Sequence, residues 1–279
     1  MGHSGFLERM AETSRSRAHA LRMQADLAGI QRRARDLPPA RIPNLSVRGF
    51  DVLAEIKRTS PAAGTLADAH ESMGPRATIY EHSGAAAISV LTEPTAFGGS
   101  LDDLAVVARA VSCPAMRKDF LVDPIQVLEA RCHGASGVLL IMRLLDEAAI
   151  ESMIEAAATL GVFVVLEILA TDDVPRLEHA LLCADRLSVV AFPGINCRDL
   201  TTLDVDRRRH VDLIGRVPAG LPVIAESGVA GAADVETLAS LGYRAALIGT
   251  ALMKAADPEI ALGAFLAAGR RAAVPELRT

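Results

Sequence analysis

The stretch FDVLAEIKRTSP, Phe50 to Pro61, decides how this chain is read. It opens like a buried strand, yet Glu55 and Lys57 stand two residues apart at its end. Side chains alternate between faces along a strand, so Leu53, Glu55 and Lys57 share one face and Ala54 and Ile56 the other. A buried strand that sends a carboxylate and an ammonium the same way, and then stops at Ser-Pro, must end on a polar cavity.

Seven further apolar runs follow: AAAISVLTE, PAMRKDF, GVLLIM, VFVVLEIL, SVVAFPGIN, LPVIAESG and AALIGTAL. Helix-like stretches separate them, among them LDDLAVVARAV, DPIQVLEARCHG, DEAAIESMIEAAATLG and GAADVETLASLG. Gly134, Gly161 and Gly242 fall where helices stop. Repeated strand–helix units without a linker predict an α/β chain, a closed (β/α)8 TIM barrel. An open doubly wound sheet is disfavoured because no G-x-G-x-x-G turn follows the first run. Ahead of the barrel, residues 5 to about 36 read as one helix whose face runs through Leu7, Met10, Ala11, Ser14, Ala18, Leu21, Ala25 and Ala28. DLPPARIP breaks it. The expected organisation is a helical extension over residues 1–47, a barrel over 48–270 and a tail over 271–279.

Strands covered by helices should be apolar throughout, and here the polar exceptions come late in the runs. They are Glu55 and Lys57, Lys118 and Asp119, Glu167, Asn196 and Arg198, and Glu226 and Ser227. The C-terminal rim of such a barrel carries its active site, so groups from five strands would converge on one cavity. Ion pairs closing the barrel mouth are the competing explanation. Buried ion pairs do little for stability compared with apolar packing, and so many of them point to chemistry or to a charged ligand. The turns Ser227-Gly228 and Gly249-Thr250 follow the seventh and eighth runs, where this fold commonly binds phosphate. Ser60, past the first run, adds a hydroxyl.

Composition narrows the alternatives. The formal charge of −5 leaves no global basic footprint for nucleic acid. The arginines of RSRAHALR, QRRARD and DRRRH read as solvated helix faces and ends. Cys113, Cys132, Cys183 and Cys197 form no C-x-x-C pair, and none is read as having a histidine at zinc-ligand spacing. Free thiols in a reducing compartment, no metal site and no cofactor are the expectation. The amino-terminal segment lacks the apolar core of a signal peptide, and no run is long enough to span a bilayer. A cytoplasmic location follows as an expectation; association with a partner subunit or a second copy stays open.

The motifs AEIKRTSP, ISVLTEPTAFGGS, RKDFLVDPIQVLEAR, GINCRDL, AESGV and LIGTALM resemble, in order and spacing, those of indole-3-glycerol phosphate synthases. The likeness spans about residues 48 to 266. It implies ring closure of 1-(2-carboxyphenylamino)-1-deoxyribulose 5-phosphate with release of carbon dioxide and water, without cofactor or metal. It also implies that Lys118 is the acid at the ketone oxygen. Lys57 and Glu55 would form a second acid and base, with Glu167 orienting Lys118 or sharing the proton work. Asn196 would hold the substrate, and Arg198, Glu226 and Ser227 fall at other polar site positions. Phe97, Phe120 and Leu139 match positions around the anthranilate ring, although plain barrel packing explains them nearly as well.

Three positions depart from the family pattern. AAG follows Ser60-Pro61 where a Ser and often a Lys are usual, Leu169 stands where an Asn or His is common, and AFPG leads into the sixth strand. Leu169 is expected on the inward face beside Glu167. These departures leave two other readings: a paralogue acting on a modified aryl substrate, and a non-catalytic barrel binding a phosphorylated ligand.

Overall fold

A computed structural model describes residues 5–24, 26–46, 49–68 and 70–273. The expected boundary at 47/48 and the part of the tail beyond 273 lie outside the described residues. Each of the apolar runs supplies one strand: β1 (Asp51–Ile56), β2 (Ala87–Leu91), β3 (Ala115–Lys118), β4 (Gly137–Ile141), β5 (Phe163–Ile168), β6 (Ala191–Asn196), β7 (Ile224–Glu226) and β8 (Ala245–Ile248). All neighbours pair in parallel, and β1 bonds to both β2 and β8, so the sheet closes on itself.

Alternation along the strands sorts the side chains into two cores. Val52, Ala54, Val138, Leu140, Val164 and Leu166 face the helices, while Leu53, Met116, Leu139, Phe163, Val165 and Ile224 fill the barrel interior. Two residues further along the same inward face, Leu53 gives way to Glu55, Met116 to Lys118, Val165 to Glu167 and Ile224 to Glu226. The barrel is therefore apolar below and ionic at the rim.

The outer ring includes α3 (Met73–His82), α4 (Leu101–Ala110), α5 (Pro124–Cys132), α6 (Glu147–Leu160), α7 (Val174–Arg186), α8 (Arg208–Ile214), α9 (Ala232–Ser240) and α10 (Pro258–Ala272), preceded by α1 (Phe6–Gln24) and α2 (Leu27–Asp36) of the extension. Gly134, Gly161 and Gly242 do adopt positive φ just past their helices. No described helix is long and apolar enough to cross a membrane.

The extension differs from the single expected helix. It breaks before Asp26, whose side chain accepts a hydrogen bond from the Gly29 amide at 2.9 Å and so starts α2. The break rotates the buried face: Met10, Ala11, Ser14 and Ala18 are covered as expected, whereas Ala28 is exposed and Ile30 and Ala34 are buried in its place. Ala25 lies outside the described residues.

Two arginines read as solvated also make specific pairs, and Arg22 stays half exposed while it does so. Both terminal nitrogens of the Arg17 guanidinium donate to Asp119 at 2.8 Å, and Arg22 donates to Asp123 through Nε at 3.1 Å and Nη2 at 2.6 Å, clamping α1 to the turn between β3 and α5. Ser14 Oγ accepts from Gln126 Nε2 beside them at 2.8 Å. These contacts join positions about a hundred residues apart, which local pattern does not reveal.

Candidate active site

The barrel mouth holds a cavity of about 520 Å³. Its lining contains Glu55, Lys57, Lys118, Glu167, Asn196, Arg198, Glu226 and Ser227, together with Ser60, Phe97, Phe120, Leu139, Gly228, Gly249 and Thr250. Every predicted site residue thus borders one space. Leu169, the departure expected on the inward face beside Glu167, does not. It is buried in the interior cluster, and its amide donates to Asp173 Oδ2 at 2.9 Å, which turns the chain out of β5.

Two ammonium–carboxylate units occupy the rim. Lys57 Nζ donates to Glu55 Oε1 at 2.5 Å, both on the first strand and its exit. Across the mouth, Lys118 Nζ donates to Glu226 Oε2 at 2.6 Å and to Glu167 Oε2 at 3.0 Å. Register brings these acids together: Glu167 lies beside Gly194, and Asn196 beside Glu226. Gly194 is required by that approach, because a Cβ there would run into Glu226 Oε1. A Cβ at Gly249 would likewise strike the Glu55 carboxylate. Asn196 donates to Glu167 Oε1 at 3.2 Å and accepts from the Arg198 amide at 2.9 Å, so its side chain orients Glu167.

Electrostatics separate the groups. Burial opposes charge on Lys118, but Glu167, Glu226 and Glu55 outweigh it and raise the ammonium above the ordinary lysine range. Burial also works against ionised Glu55, where Lys57 and Lys118 prevail and lower it. Glu226 goes the other way. Burial, reinforced by neighbouring Glu167, pushes it up to about 8 despite Lys118. Among the described residues its Oε1 has no hydrogen-bond partner. Glu226 therefore holds a proton at neutral pH, beside Glu167 and Lys118.

The apolar side of the cavity is aromatic. Phe97, Phe120 and Phe6 of α1 meet with ring centroids 6.0–6.3 Å apart. Phe6 was missed because the extension carries only a loose likeness to the family; its one signal is an aromatic residue leading into a helical face. On the opposite side, Ser227 and Gly228 both have positive φ and turn the chain back over the cavity. Arg207, another arginine read as solvated, also lines this side and pairs with Asp234 at 2.7 Å. The first loop folds as a small hairpin, Thr59–Ser60 against Gly64–Thr65, that presents Ala62 and Ala63 to the cavity.

The mouth sets two lysine–carboxylate units beside three aromatic rings, and the six sequence motifs hold all of these residues except Glu167 and Phe6. The family model described as indole-3-glycerol phosphate synthase covers residues 7–265. The chain belongs to the indole-3-glycerol phosphate synthase family. It is 38% identical to the indole-3-glycerol phosphate synthase of Mycolicibacterium gilvum over 99% of both chains. With that of Mycobacterium ulcerans it shares 43% identity over 82% of this chain and 80% of the relative. Among solved structures, a 3-hexulose-6-phosphate synthase superposes with a TM-score of 0.60 at 18% identity, covering 78% of this chain and 99% of that one, which supports the barrel fold alone. The family match begins at residue 7, so it takes in α1 with the barrel.

Proposed function

We propose that this barrel mouth converts 1-(2-carboxyphenylamino)-1-deoxyribulose 5-phosphate to indole-3-glycerol phosphate, carbon dioxide and water, with Lys118 as the acid of ring closure. The observation that carries the reading is the pairing of two lysine–carboxylate units across one cavity, Lys118 with Glu167 and Glu226, and Lys57 with Glu55. One unit serves each of the two chemical stages.

In the first stage the ring carbon bearing the carboxylate attacks the ketone, and charge develops on the ketone oxygen. Lys118 is held cationic by its carboxylates, so it stabilises that oxygen and gives up its proton as the alkoxide forms. Loss of carbon dioxide then restores aromaticity. In the second stage the new hydroxyl leaves as water while a proton is removed, and Lys57 and Glu55 supply the acid and the base. Asn196 acts by holding Glu167, and Arg198 by tying the loop after β6 through its hydrogen bond to the Leu203 carbonyl at 2.6 Å. The anthranilate ring packs among Phe6, Phe97 and Phe120, with Leu139 beneath. The phosphate lies at the turns Ser227-Gly228 and Gly249-Thr250, with Ser60 and Arg207 at its edge.

The two competing readings are less favoured. Of the departures that raise an altered aryl substrate, Leu169 packs outside the cavity lining, while Ala62 and Ala63 of the first loop border it. A non-catalytic barrel would have no need to keep Glu55, Lys57, Lys118 and Glu167 in mutual contact. A reducing cytoplasm suits the four free cysteines.

Indole fluorescence after addition of the carboxyphenylamino substrate to the purified chain is the test. Turnover is expected in the wild type, and about 10²- to 10⁴-fold less in Lys118→Ala. A well-folded wild type that produces no indole product would overturn the assignment.

A further inference from the structure

Outside the cavity, on the outer helical ring, three side chains converge that the proposed reaction does not use. Glu151 of α6 and His179 and Cys183 of α7 bring one ligand atom each to within 4.8 Å of one another. The reading that no cysteine has a histidine at zinc-ligand spacing is corrected here. His179 and Cys183 are four residues apart on a helix, which puts them on one face.

The geometry says what they suit. Cys183 Sγ lies 3.6 Å from His179 Nε2, and Glu151 Oε1 lies 3.4 Å from the same nitrogen. A nucleophile–base–orienter relay would use both ring nitrogens, one for each partner. Here both partners aim at Nε2, the pattern of ligands converging on a point. Around a tetrahedral zinc ion with bonds of about 2.0 Å to nitrogen, 2.3 Å to sulfur and 2.1 Å to oxygen, the nitrogen–sulfur edge is roughly 3.5 Å and the nitrogen–oxygen edge roughly 3.4 Å. The observed separations match both edges. Thiolate, imidazole and carboxylate together also suit zinc better than magnesium or calcium, which take oxygen ligands.

We propose that Glu151, His179 and Cys183 form a zinc(II) site that ties α6 to α7, with water as the fourth ligand. Cys183 is 4% exposed, so its sulfur approaches from below, while the partly exposed His179 and Glu151 leave a path for the ion. Binding converts the Cys183 thiol to thiolate and releases its proton to solvent, so affinity falls as pH falls. No redox step is involved, and the site is separate from the substrate cavity.

The full-length metal-free protein is titrated with Zn²⁺ against a chromophoric chelator, and with Cd²⁺ to read the thiolate-to-metal charge-transfer band. One equivalent is expected to bind, with that band, and to raise the melting temperature. His179→Gln and Cys183→Ser should each weaken zinc binding by at least about tenfold, abolish the melting shift and leave indole formation unchanged. If Cys183→Ser does not fold, His179→Gln and Glu151→Gln carry the test, since both alter partly exposed side chains. The proposal is overturned by zinc binding of wild-type strength in the His179 variant, by Cd²⁺ binding without the thiolate band, or by binding at millimolar zinc only.

Discussion

The segment Arg117-Lys118-Asp119 carries two buried ionic clusters back to back. Lys118 points into the mouth, towards Glu167 and Glu226. Arg117 and Asp119 point the other way, where Asp119 accepts from Arg17, Arg117, Thr92 and the Phe120 amide. Arg117 in turn donates to Glu129 and to the Gln126 carbonyl. Asp119 and Arg117 have every side-chain oxygen and nitrogen bonded, whereas Arg17 Nε has no partner among the described residues. Burial would raise the Asp119 carboxyl, but its arginines and Thr92 hold it well below the usual carboxylate range. In the inner cluster Glu226 is displaced upward and, among the described residues, keeps an oxygen without a partner. The difference between the two carboxyls, Asp119 and Glu226, teaches which cluster serves which purpose. A carboxylate with its bonds complete fixes structure, and a carboxyl left incomplete is poised for a ligand and its protons.

The sharpest way to break that comparison is to remove one member from each side. Lys118→Ala should lower kcat/KM by about 10²- to 10⁴-fold, the range for a lost general acid. Its cost in stability should be small, because Glu226 already holds a proton and less buried charge is left unpaired. Steady-state kinetics and urea unfolding of one preparation measure both. A variant that unfolds but keeps its turnover would reverse the roles assigned here.

Asp119→Ala is expected to behave oppositely. Removing one partner of a buried pair costs about 3–5 kcal/mol, here because Arg17 and Arg117 lose the carboxylate they share and Arg117 keeps only Glu129. The isosteric Asp119→Asn adds a pH signature. A carboxyl lowered by folding contributes stability that is present above its unfolded value of 3.8 and is lost as pH falls towards the folded one. Acid unfolding below about pH 4 should therefore be shallower in Asp119→Asn than in the wild type. Equal acid slopes would show that Asp119 is no stronger an anchor than a surface carboxylate.

Glu226 gives the reverse sign. Its carboxyl is raised, so the native protein keeps a proton that the unfolded chain gives up above 4.5. Stability then falls as pH rises from 4.5 to about 8. Glu226→Gln cannot ionise, and its unfolding free energy should stay flat over that window. If the wild type is flat there too, the inner cluster is as well satisfied as the outer one.

The inner cluster was legible in the sequence and much of the outer one was not. Glu55, Lys118, Glu167 and Glu226 interrupt apolar runs at the same inward phase, and that period is local. Lys118 was additionally marked by RKDF. Arg17 sits in an arginine-rich helix like many solvated ones, and its partner is 102 residues away. Arg207 and Phe6 were hidden for the same reason, since each gains its meaning from a turn or ring that other units supply. The break at Asp26 rests on one capping side chain inside a helical pattern strong enough to be read straight through it. His179 and Cys183 were four apart in plain view; the helix that aligns them was not among those read from the sequence.

Phe6 is the mildest test, and it asks whether the extension belongs to the substrate site or merely roofs it. Its ring packs edge-on against Phe97 and Phe120, and an aromatic pair of this kind is worth about 0.5–1.5 kcal/mol beyond its buried area. Phe6→Ala should therefore raise KM by roughly 2- to 12-fold. Neither lysine unit touches Phe6, so kcat should hold. A fall in kcat with KM unchanged would mean that α1 acts through the Arg17–Asp119 clamp on the strand carrying Lys118. In that case the outer cluster is itself part of the catalytic arrangement, and structure and chemistry cannot be divided between the two faces of β3.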